Sequence, residues 1–236
     1  MEGRSVVNMA EKDSMQKKET GTRNAAFPDK KIKKTKFIVC LTGMPGSGKS
    51  TVAESLKKKG FSVIAMGDVV RNEAKRKNIE PTDNNLGKLM LELRREIGPG
   101  AIAQLIINEI EKREVRSNAN QNIVIDGIRS VPEVEILRTI GIVKLLSIHA
   151  SAHTRFDHLK KRARGDAPLN ENDFGIRDKR ELAVGISEAI AMSDEMLSNN
   201  NLTVEELQEK AVGIVQKWVG EFYNDDGIRN NKGRHK

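Results

Sequence analysis

The chain has 236 residues, of which 37% are hydrophobic and only 3% aromatic, and a formal net charge of +8. This length suits one α/β domain and is short for two, and the core must consist mainly of aliphatic side chains. The composition excludes a disulfide framework or a multi-cysteine metal site, because Cys40 is the only cysteine. No apolar run approaches the roughly 20 residues that span a bilayer, and the N-terminus lacks the apolar stretch of a secretion signal, so we expect a cytoplasmic protein that does not contact the membrane.

The positive charge lies almost entirely in the two tails. Residues 1–36 carry ten basic and five acidic residues, and residues 224–236 carry four basic and two acidic ones. The near-neutral centre argues against an extensive nucleic-acid footprint, so any nucleic acid would bind only through the tails, and a solvated extension is favoured over such binding. We predict three parts, namely a disordered basic extension at 1–35, a folded domain at 36–221 and a disordered tail at 222–236.

Within the central domain, short apolar runs alternate with amphipathic stretches, which is typical of βαβ units. Strands are predicted at 36–42, 62–66, 122–126 and 144–149, with a weaker edge strand near 195–199. Helices are predicted at Leu86–Ile97 after the Thr82-Asp83 start signal, at Ala101 to about Arg116, at 132–140, and from the Thr203 cap through Trp218. These elements predict a three-layer α/β/α domain with a mostly parallel five-stranded sheet.

The first predicted strand leads into a glycine-rich loop of the form G-x-x-x-x-G-K-S/T. This phosphate loop consists of Gly43, Met44, Pro45, Gly46, Ser47, Gly48, Lys49 and Ser50, and Thr51 after it is expected to steady the loop. Its backbone N–H groups can surround phosphate oxygens, and the following helix adds the positive end of its dipole. Lys49 would bridge the terminal phosphates, and the Ser50 hydroxyl would ligate Mg²⁺. The loop predicts a P-loop NTPase fold that binds ATP with Mg²⁺; GTP is disfavoured because no N-K-x-D stretch follows a strand.

The second predicted strand ends beside a carboxylate and a cation, on the side where the phosphate loop opens. Asp68 is expected to hold Mg²⁺ through water or to take a proton from an acceptor hydroxyl, and Arg71 to bind an anionic acceptor. The plainer alternative is a helix-capping Asp followed by a surface Arg.

The third predicted strand ends on Asp126, which has the form of the second nucleotide-binding motif. Asp126 would orient Mg²⁺ and its waters, and Arg129 would reach the anionic group of the acceptor. A capping role is the alternative for Asp126. Arg94, in the predicted helix Leu86–Ile97, is the third candidate for binding the acceptor.

Downstream, a basic cluster surrounds the sequence Gly165-Asp166-Ala167-Pro168. It consists of Arg155, Lys160, Lys161, Arg162 and Arg164 before that sequence, and of Arg177, Lys179 and Arg180 after it. Such a cluster is typical of a small lid that closes over a triphosphate, in which Arg162 or Arg164 would neutralise the transition state. A solvated helix face with ion pairs is the alternative.

These motifs resemble the adenylate kinase and dephospho-CoA kinase branch of the phosphate-loop kinases over roughly residues 36–220. Met66-Gly67-Asp68-Val69-Val70-Arg71 resembles the T-G-D-x-x-R element that holds the acceptor nucleotide, and Asp126-Gly127 resembles the start of D-G-F-P-R. The segment 193–200 resembles the closing strand of dephospho-CoA kinases, whose neighbouring loop contacts adenine. The set GMPGSGKS, GDVVR, PTDNNLGK, ELRREIGPGA, VIDGIRS and IHASAHTRF is closer still to an uncharacterised archaeal family of ATP-binding, kinase-like proteins.

The resemblance implies a nucleoside-kinase-like fold with a small lid and transfer of the ATP γ-phosphate to a small acceptor. A phosphorylated acceptor of the nucleotide type and a hydroxyl acceptor of the CoA-precursor type both remain open, and Asp68 would be the base only for the second. Two other functions remain as alternatives, a regulatory ATPase or switch and an RNA kinase, both acting on a macromolecular partner through the basic tails. The sequence does not specify the oligomeric state.

Overall fold

The computed structural model describes residues 36–116, 122–162 and 170–232. Within them one parallel sheet has the strand order β2-β3-β1-β4-β5. Its strands are β1 (Phe37–Thr42), β2 (Ser62–Ala65), β3 (Ile123–Ile128), β4 (Ile142–His149) and β5 (Glu195–Ser198). The predicted mostly parallel five-stranded sheet is confirmed. The extension predicted at residues 1–35 lies outside the described residues.

Helices connect and cover the strands. They are α1 (Lys49–Lys58), α2 (Met66–Arg76), α3 (Asp83–Ile97), α4 (Ala101–Arg116), α5 (Val131–Arg138), α6 (Ala152–Arg162), α7 (Glu171–Ala183), α8 (Ile186–Ala191) and α9 (Val204–Lys232). The helix caps follow the sequence signals: the Thr82 hydroxyl accepts the Asn85 N–H, and Thr203 and Glu206 exchange side-chain to backbone hydrogen bonds.

The central strand β1 divides the core into two layers because successive side chains of a strand point to opposite faces. Ile38 and Cys40 pack with α2, α3, α4 and α5 on one face, while Val39 and Leu41 pack with α1 and α9 on the other. All six residues of β1 are buried, as expected for a strand covered on both sides. Burial also raises the pKa of the Cys40 thiol, which fits the packing role expected for it. The three-layer α/β/α architecture is therefore confirmed.

The last helix is longer than the sequence predicts. We expected it to end near Trp218 and a disordered tail to begin at residue 222, but α9 continues through that position to Lys232. Phe222 is buried, and its ring lies 5.2 Å from that of Phe37. The apolar stripe of α9 thus extends one turn beyond Trp218, which is enough to continue the helix. In the part of the chain that the structure describes, no helix has the length and apolarity needed to cross a membrane.

Candidate functional site

The phosphate loop joins β1 to α1 in a backbone conformation that glycine alone adopts readily. Gly43, Gly46 and Gly48 have φ angles of 138°, 83° and 110°. The loop is also tightly enclosed: a Cβ at Gly43 would lie 2.2 Å from the Ile148 carbonyl oxygen, and one at Gly46 would lie 2.5 Å from the Arg155 carbonyl oxygen. Both space and φ therefore require glycine. Thr51 donates its backbone N–H to the Gly48 carbonyl at 3.0 Å, where α1 begins.

Lys49 folds back over its own loop. Its Nζ donates to the carbonyl oxygens of Gly43 and Met44 at 2.6 and 3.1 Å. Desolvation lowers the pKa of Lys49 to about 8, and the nearby charge of Asp126 opposes that shift. A lysine held in this way can exchange two carbonyl partners for phosphate oxygens without leaving the loop.

The carboxylate of Asp126, in β3, faces the start of α1. Ser50 Oγ donates to Asp126 Oδ2 at 3.2 Å. The other oxygen, Oδ1, is buried and has no hydrogen-bond partner among the described residues. Burial raises the pKa of the Asp126 carboxyl, while the charge of Lys49 and the Ser50 hydroxyl act to lower it. A hydroxyl and a carboxylate oxygen at this separation, with one carboxylate oxygen unsatisfied, fit a divalent cation that prefers oxygen ligands, as Mg²⁺ does.

A bulge in β3 follows Asp126 directly. Leu41 pairs with Asp126, but Thr42 pairs with Ile128, so Gly127 is the extra residue, and its φ is 106°. The Thr42 hydroxyl donates to the Ile128 carbonyl at 2.9 Å and fixes the strand again beyond the bulge. Asp126 and the three residues after it line one cleft together with the phosphate loop.

A cleft of about 900 Å³ opens at the carboxyl ends of the strands. The phosphate loop and Asp126 line it, together with Asp68, Arg71 and Arg129. The structure thus brings the predicted triphosphate site and two of the three predicted acceptor residues into one cleft, as expected at this edge of an open α/β sheet.

Arg71 and Arg129, the two predicted acceptor residues in the cleft, each face a carboxylate. Arg71 Nη1 lies 2.6 Å from Asp68 Oδ1, one turn away on α2, and both side chains are solvent-exposed. Arg129 Nε lies 2.9 Å from Oε2 of Glu181, which is on α7 and only 3% exposed. Asp68, the third residue of α2, thus lines the cleft as one half of an ion pair.

Arg94 is placed elsewhere than the sequence predicts. It is not among the residues that line the cleft, and its Nη2 lies 2.7 Å from Oε1 of Glu133, which is fully buried. The second oxygen of Glu133 accepts the backbone N–H of Arg129 at 2.8 Å. Burial of the Glu133 carboxylate requires a cationic partner, and Arg94 supplies it. Arg94 is thus linked to Arg129 through Glu133.

Two predicted lid residues cannot be placed. Arg164 lies outside the described residues, and the side chain of Arg162, at the end of α6, is likewise not described. Lys161 and Arg177, from the same basic cluster, do line the cleft. Arg155 is buried: its guanidinium donates to both carboxylate oxygens of Asp178 and to the Pro45 carbonyl oxygen.

Several residues at the site were missed by the sequence analysis. Glu133, Glu181 and His158 were not singled out, and Asn199 was noted only as part of a strand-like segment. Asn199 is buried after β5, and its Nδ2 donates to the Ser47 carbonyl at 2.9 Å. The only local signal for Asn199 was its position at the carboxyl end of a predicted strand, where polar side chains reach ligand sites.

The fold and the loop define a P-loop nucleotide-binding protein with a kinase-like architecture. A family model described as "AAA domain" matches residues 42–175, more than half of the chain. A UPF0200 protein of Thermococcus onnurineus is 38% identical over 188 residues, which are 78% of this chain and 100% of that protein. A UPF0200 protein of Pyrococcus abyssi is 40% identical over 168 residues, 70% of this chain and 88% of that protein. The chain belongs to the UPF0200 family, and the resemblance to an archaeal P-loop family is confirmed.

Solved structures show the same fold. TT1252 from Thermus thermophilus superposes with a TM-score of 0.53 at 18% identity, over 77% of this chain and 97% of that one. A shikimate kinase from Acinetobacter baumannii, in complex with shikimate, superposes with a TM-score of 0.50 at 16% identity, over 80% of this chain and 96% of that one. At these identities the likeness establishes the P-loop kinase-like fold.

Proposed function

We propose that this protein transfers the γ-phosphate of ATP to a small acceptor. The observation that carries the proposal is the contact between Ser50 Oγ and Asp126 Oδ2 at 3.2 Å, with Asp126 Oδ1 unpartnered, in the same cleft as Arg71 and Arg129. The phosphate loop with Ser50 and Asp126 suits a triphosphate with its metal ion, and Arg71 and Arg129 supply cations in the same cleft for a second, anionic ligand. A kinase is among the structures that share the fold.

Each residue has a distinct role in the proposal. The phosphate loop binds the β- and γ-phosphates, and Lys49 moves from its loop carbonyls to the γ-phosphate as charge develops there. Ser50 and Asp126 would hold Mg²⁺, which neutralises phosphate charge when bound. Arg129 and Arg71 bind the acceptor, and the basic residues Lys161, Arg162, Arg164 and Arg177 neutralise the transferring group from the lid side.

The chemical step balances with either kind of acceptor. An acceptor oxygen forms a bond to the γ-phosphorus while the bond from that phosphorus to the β–γ bridging oxygen breaks, and ADP leaves. A phosphate acceptor is already an anion at neutral pH and needs no base. A hydroxyl acceptor gives its proton to Asp68, which is exposed in the cleft and held in place by Arg71.

The test is transfer of the ATP γ-phosphate by the purified full-length chain to nucleoside monophosphates, dephospho-CoA, shikimate and short RNAs. Lys49→Ala should abolish transfer, and Asp68→Asn should abolish it only if the acceptor is a hydroxyl. Slow ATP hydrolysis with no transfer to any of these compounds would contradict the proposal and favour a regulatory ATPase. Transfer to RNA alone that is lost on deleting residues 1–35 would favour an RNA kinase.

A further inference from the structure

Every carbonyl oxygen of residues 43–47 in the phosphate loop accepts a hydrogen bond from a side chain. Lys49 takes the first two. Three residues from outside the loop each contact one of the carbonyl oxygens of residues 45, 46 and 47. Arg155 Nη1 donates to Pro45 at 3.1 Å, His158 Nδ1 contacts Gly46 at 2.9 Å, and Asn199 Nδ2 donates to Ser47 at 2.9 Å. Since a carbonyl oxygen only accepts, His158 must carry a proton on Nδ1.

These contacts determine where the backbone N–H groups of the loop point. In a trans peptide the C=O and the following N–H point in opposite directions within one plane. Holding the carbonyls of residues 45, 46 and 47 therefore also sets the N–H groups of residues 46, 47 and 48. Of these, the Ser47 N–H donates to the Met44 carbonyl at 3.1 Å and closes a turn within the loop. When Lys49 moves to phosphate oxygens it releases its own two carbonyls, but the three outside contacts remain. They hold the peptide planes after residues 45, 46 and 47 in one orientation whether or not Lys49 contacts the loop.

The Arg155 contact is itself rigidly supported. Its guanidinium binds Asp178 through two hydrogen bonds of 2.8 and 2.5 Å and lies 4.8 Å from the centroid of the Phe174 ring. Arg155 lies on α6, whereas Asp178 and Phe174 lie on α7. A single buried guanidinium thus connects α6, α7 and the phosphate loop, and the bidentate geometry fixes its plane.

We propose that Arg155, His158 and Asn199 are positioning residues that preorganise the phosphate loop for a triphosphate or pyrophosphate chain, with Asp178 acting through Arg155. Preorganised donors bind more tightly because the loop loses less conformational entropy when the ligand arrives. The inference rests on the nucleotide binding in the proposed function but requires no acceptor and no transfer.

The sharpest test compares two substitutions at His158. The side-chain nitrogen of Asn occupies the place of His Nδ1, so His158→Asn keeps the donor to Gly46, whereas His158→Ala removes it. We expect His158→Ala to weaken binding of MgATP and of magnesium pyrophosphate about three- to tenfold, the effect of one hydrogen bond, and His158→Asn to restore it. Both ligands are titrated calorimetrically into the full-length chain. Asp178→Asn should weaken both ligands as well, because it removes the charge that fixes Arg155.

Arg138→Gln is the matched control, because Arg138 forms an exposed ion pair with Glu135 within α5 and should leave both affinities unchanged. Equal affinities of His158→Ala, His158→Asn and wild type would overturn the proposal. So would equal losses in both His158 variants, which would indicate a contact of the ring itself. A wild type that binds MgATP as expected but transfers phosphate to nothing would contradict the proposed function and leave the positioning role supported. A wild type that binds neither ligand would overturn both.

Discussion

Ser50 in α1 and Asp126 in β3, which are 76 residues apart in the sequence, are joined by a hydrogen bond of 3.2 Å from the serine hydroxyl to the carboxylate. β1 and β3 are neighbours in the sheet, so the loop after one strand lies beside the carboxyl end of the other. Strand adjacency thus creates the oxygen pair proposed to hold Mg²⁺. Neither residue forms such a site alone.

We predict that Asp126→Asn raises the Mg²⁺ concentration needed to support ATP binding about 10- to 100-fold. The substitution removes the negative charge of a metal ligand while keeping its shape. The measurement is ATP affinity as a function of Mg²⁺ concentration. The control is the same titration in EDTA, in which Asp126→Asn should bind ATP at least as well as wild type because one negative charge has been removed. A variant that behaves like wild type at every Mg²⁺ concentration would contradict a role of Asp126 in binding the metal ion.

A second prediction concerns pH. Because desolvation lowers the pKa of Lys49 to about 8 in the free protein, the ammonium form is progressively lost above that pH. Bound phosphates favour the charged form, so MgATP affinity should fall by up to about tenfold per pH unit between pH 8 and pH 9 and vary little below pH 7. Binding titrations across this range test it.

Lys49→Met provides the reference for the pH prediction because its side chain is uncharged at every pH. The variant should bind MgATP weakly and with no pH dependence above pH 7. If wild-type affinity stays constant through pH 9, Lys49 remains charged there and the burial argument fails.

The glycines of the chain allow steric clash to be separated from backbone strain. Gly43→Ala should destabilise the fold by about 3 kcal/mol or more, since its Cβ would lie 2.2 Å from the Ile148 carbonyl oxygen at a φ of 138°. Gly60 has a φ of 92° but open space around it, so Gly60→Ala should cost only about 1–2 kcal/mol. Gly213 lies in the exposed helical part of α9 in open space, and Gly213→Ala should stabilise by about 0.5–1 kcal/mol. Urea unfolding of the three variants measures this order, and a Gly43→Ala variant as stable as Gly60→Ala would contradict it.

The features that the sequence predicted well are local ones. The apolar run ending at Thr42, the glycines after it and the apolar run ending at Asp126 each occupy one stretch of chain, and parallel strands align their carboxyl ends. This is sufficient to predict the sheet, the phosphate loop and the placement of Asp126 beside it. Cap signals such as Thr82 and Thr203 also act within one helical turn.

What the sequence did not predict depends on contacts between distant segments. Arg94 and Arg129 look alike in the sequence, and only the structure shows that Arg94 in α3 pairs with Glu133 in α5. Asn199 contacts Ser47 across 152 residues. Charge and spacing do not distinguish an arginine that faces a buried carboxylate from one that faces a ligand, because that depends on which helices pack together.

Breaking the buried ion pair between Arg94 and Glu133 is expected to destabilise the fold strongly. Glu133 is fully buried and Arg94 is 12% exposed, so removing either partner leaves an uncompensated charge in the interior. We predict that Arg94→Met lowers the free energy of unfolding by about 3–5 kcal/mol. The loss of stability in the double variant Arg94→Met/Glu133→Gln should be smaller than the sum of the losses in the two single variants. Urea unfolding of the four proteins gives the coupling energy directly.

The exposed pair Arg138–Glu135 serves as the comparison, because both side chains reach solvent and Arg138→Gln should change stability by less than about 1 kcal/mol. MgATP affinity of folded Arg94→Met should match wild type, since Arg94 does not line the cleft. If Arg94→Met instead kept its stability and raised the KM for the acceptor alone, Arg94 would bind the acceptor as the sequence pattern predicts. Glu133 would then pair with Arg94 only while no acceptor is bound, and the acceptor would replace Glu133 at the Arg94 guanidinium.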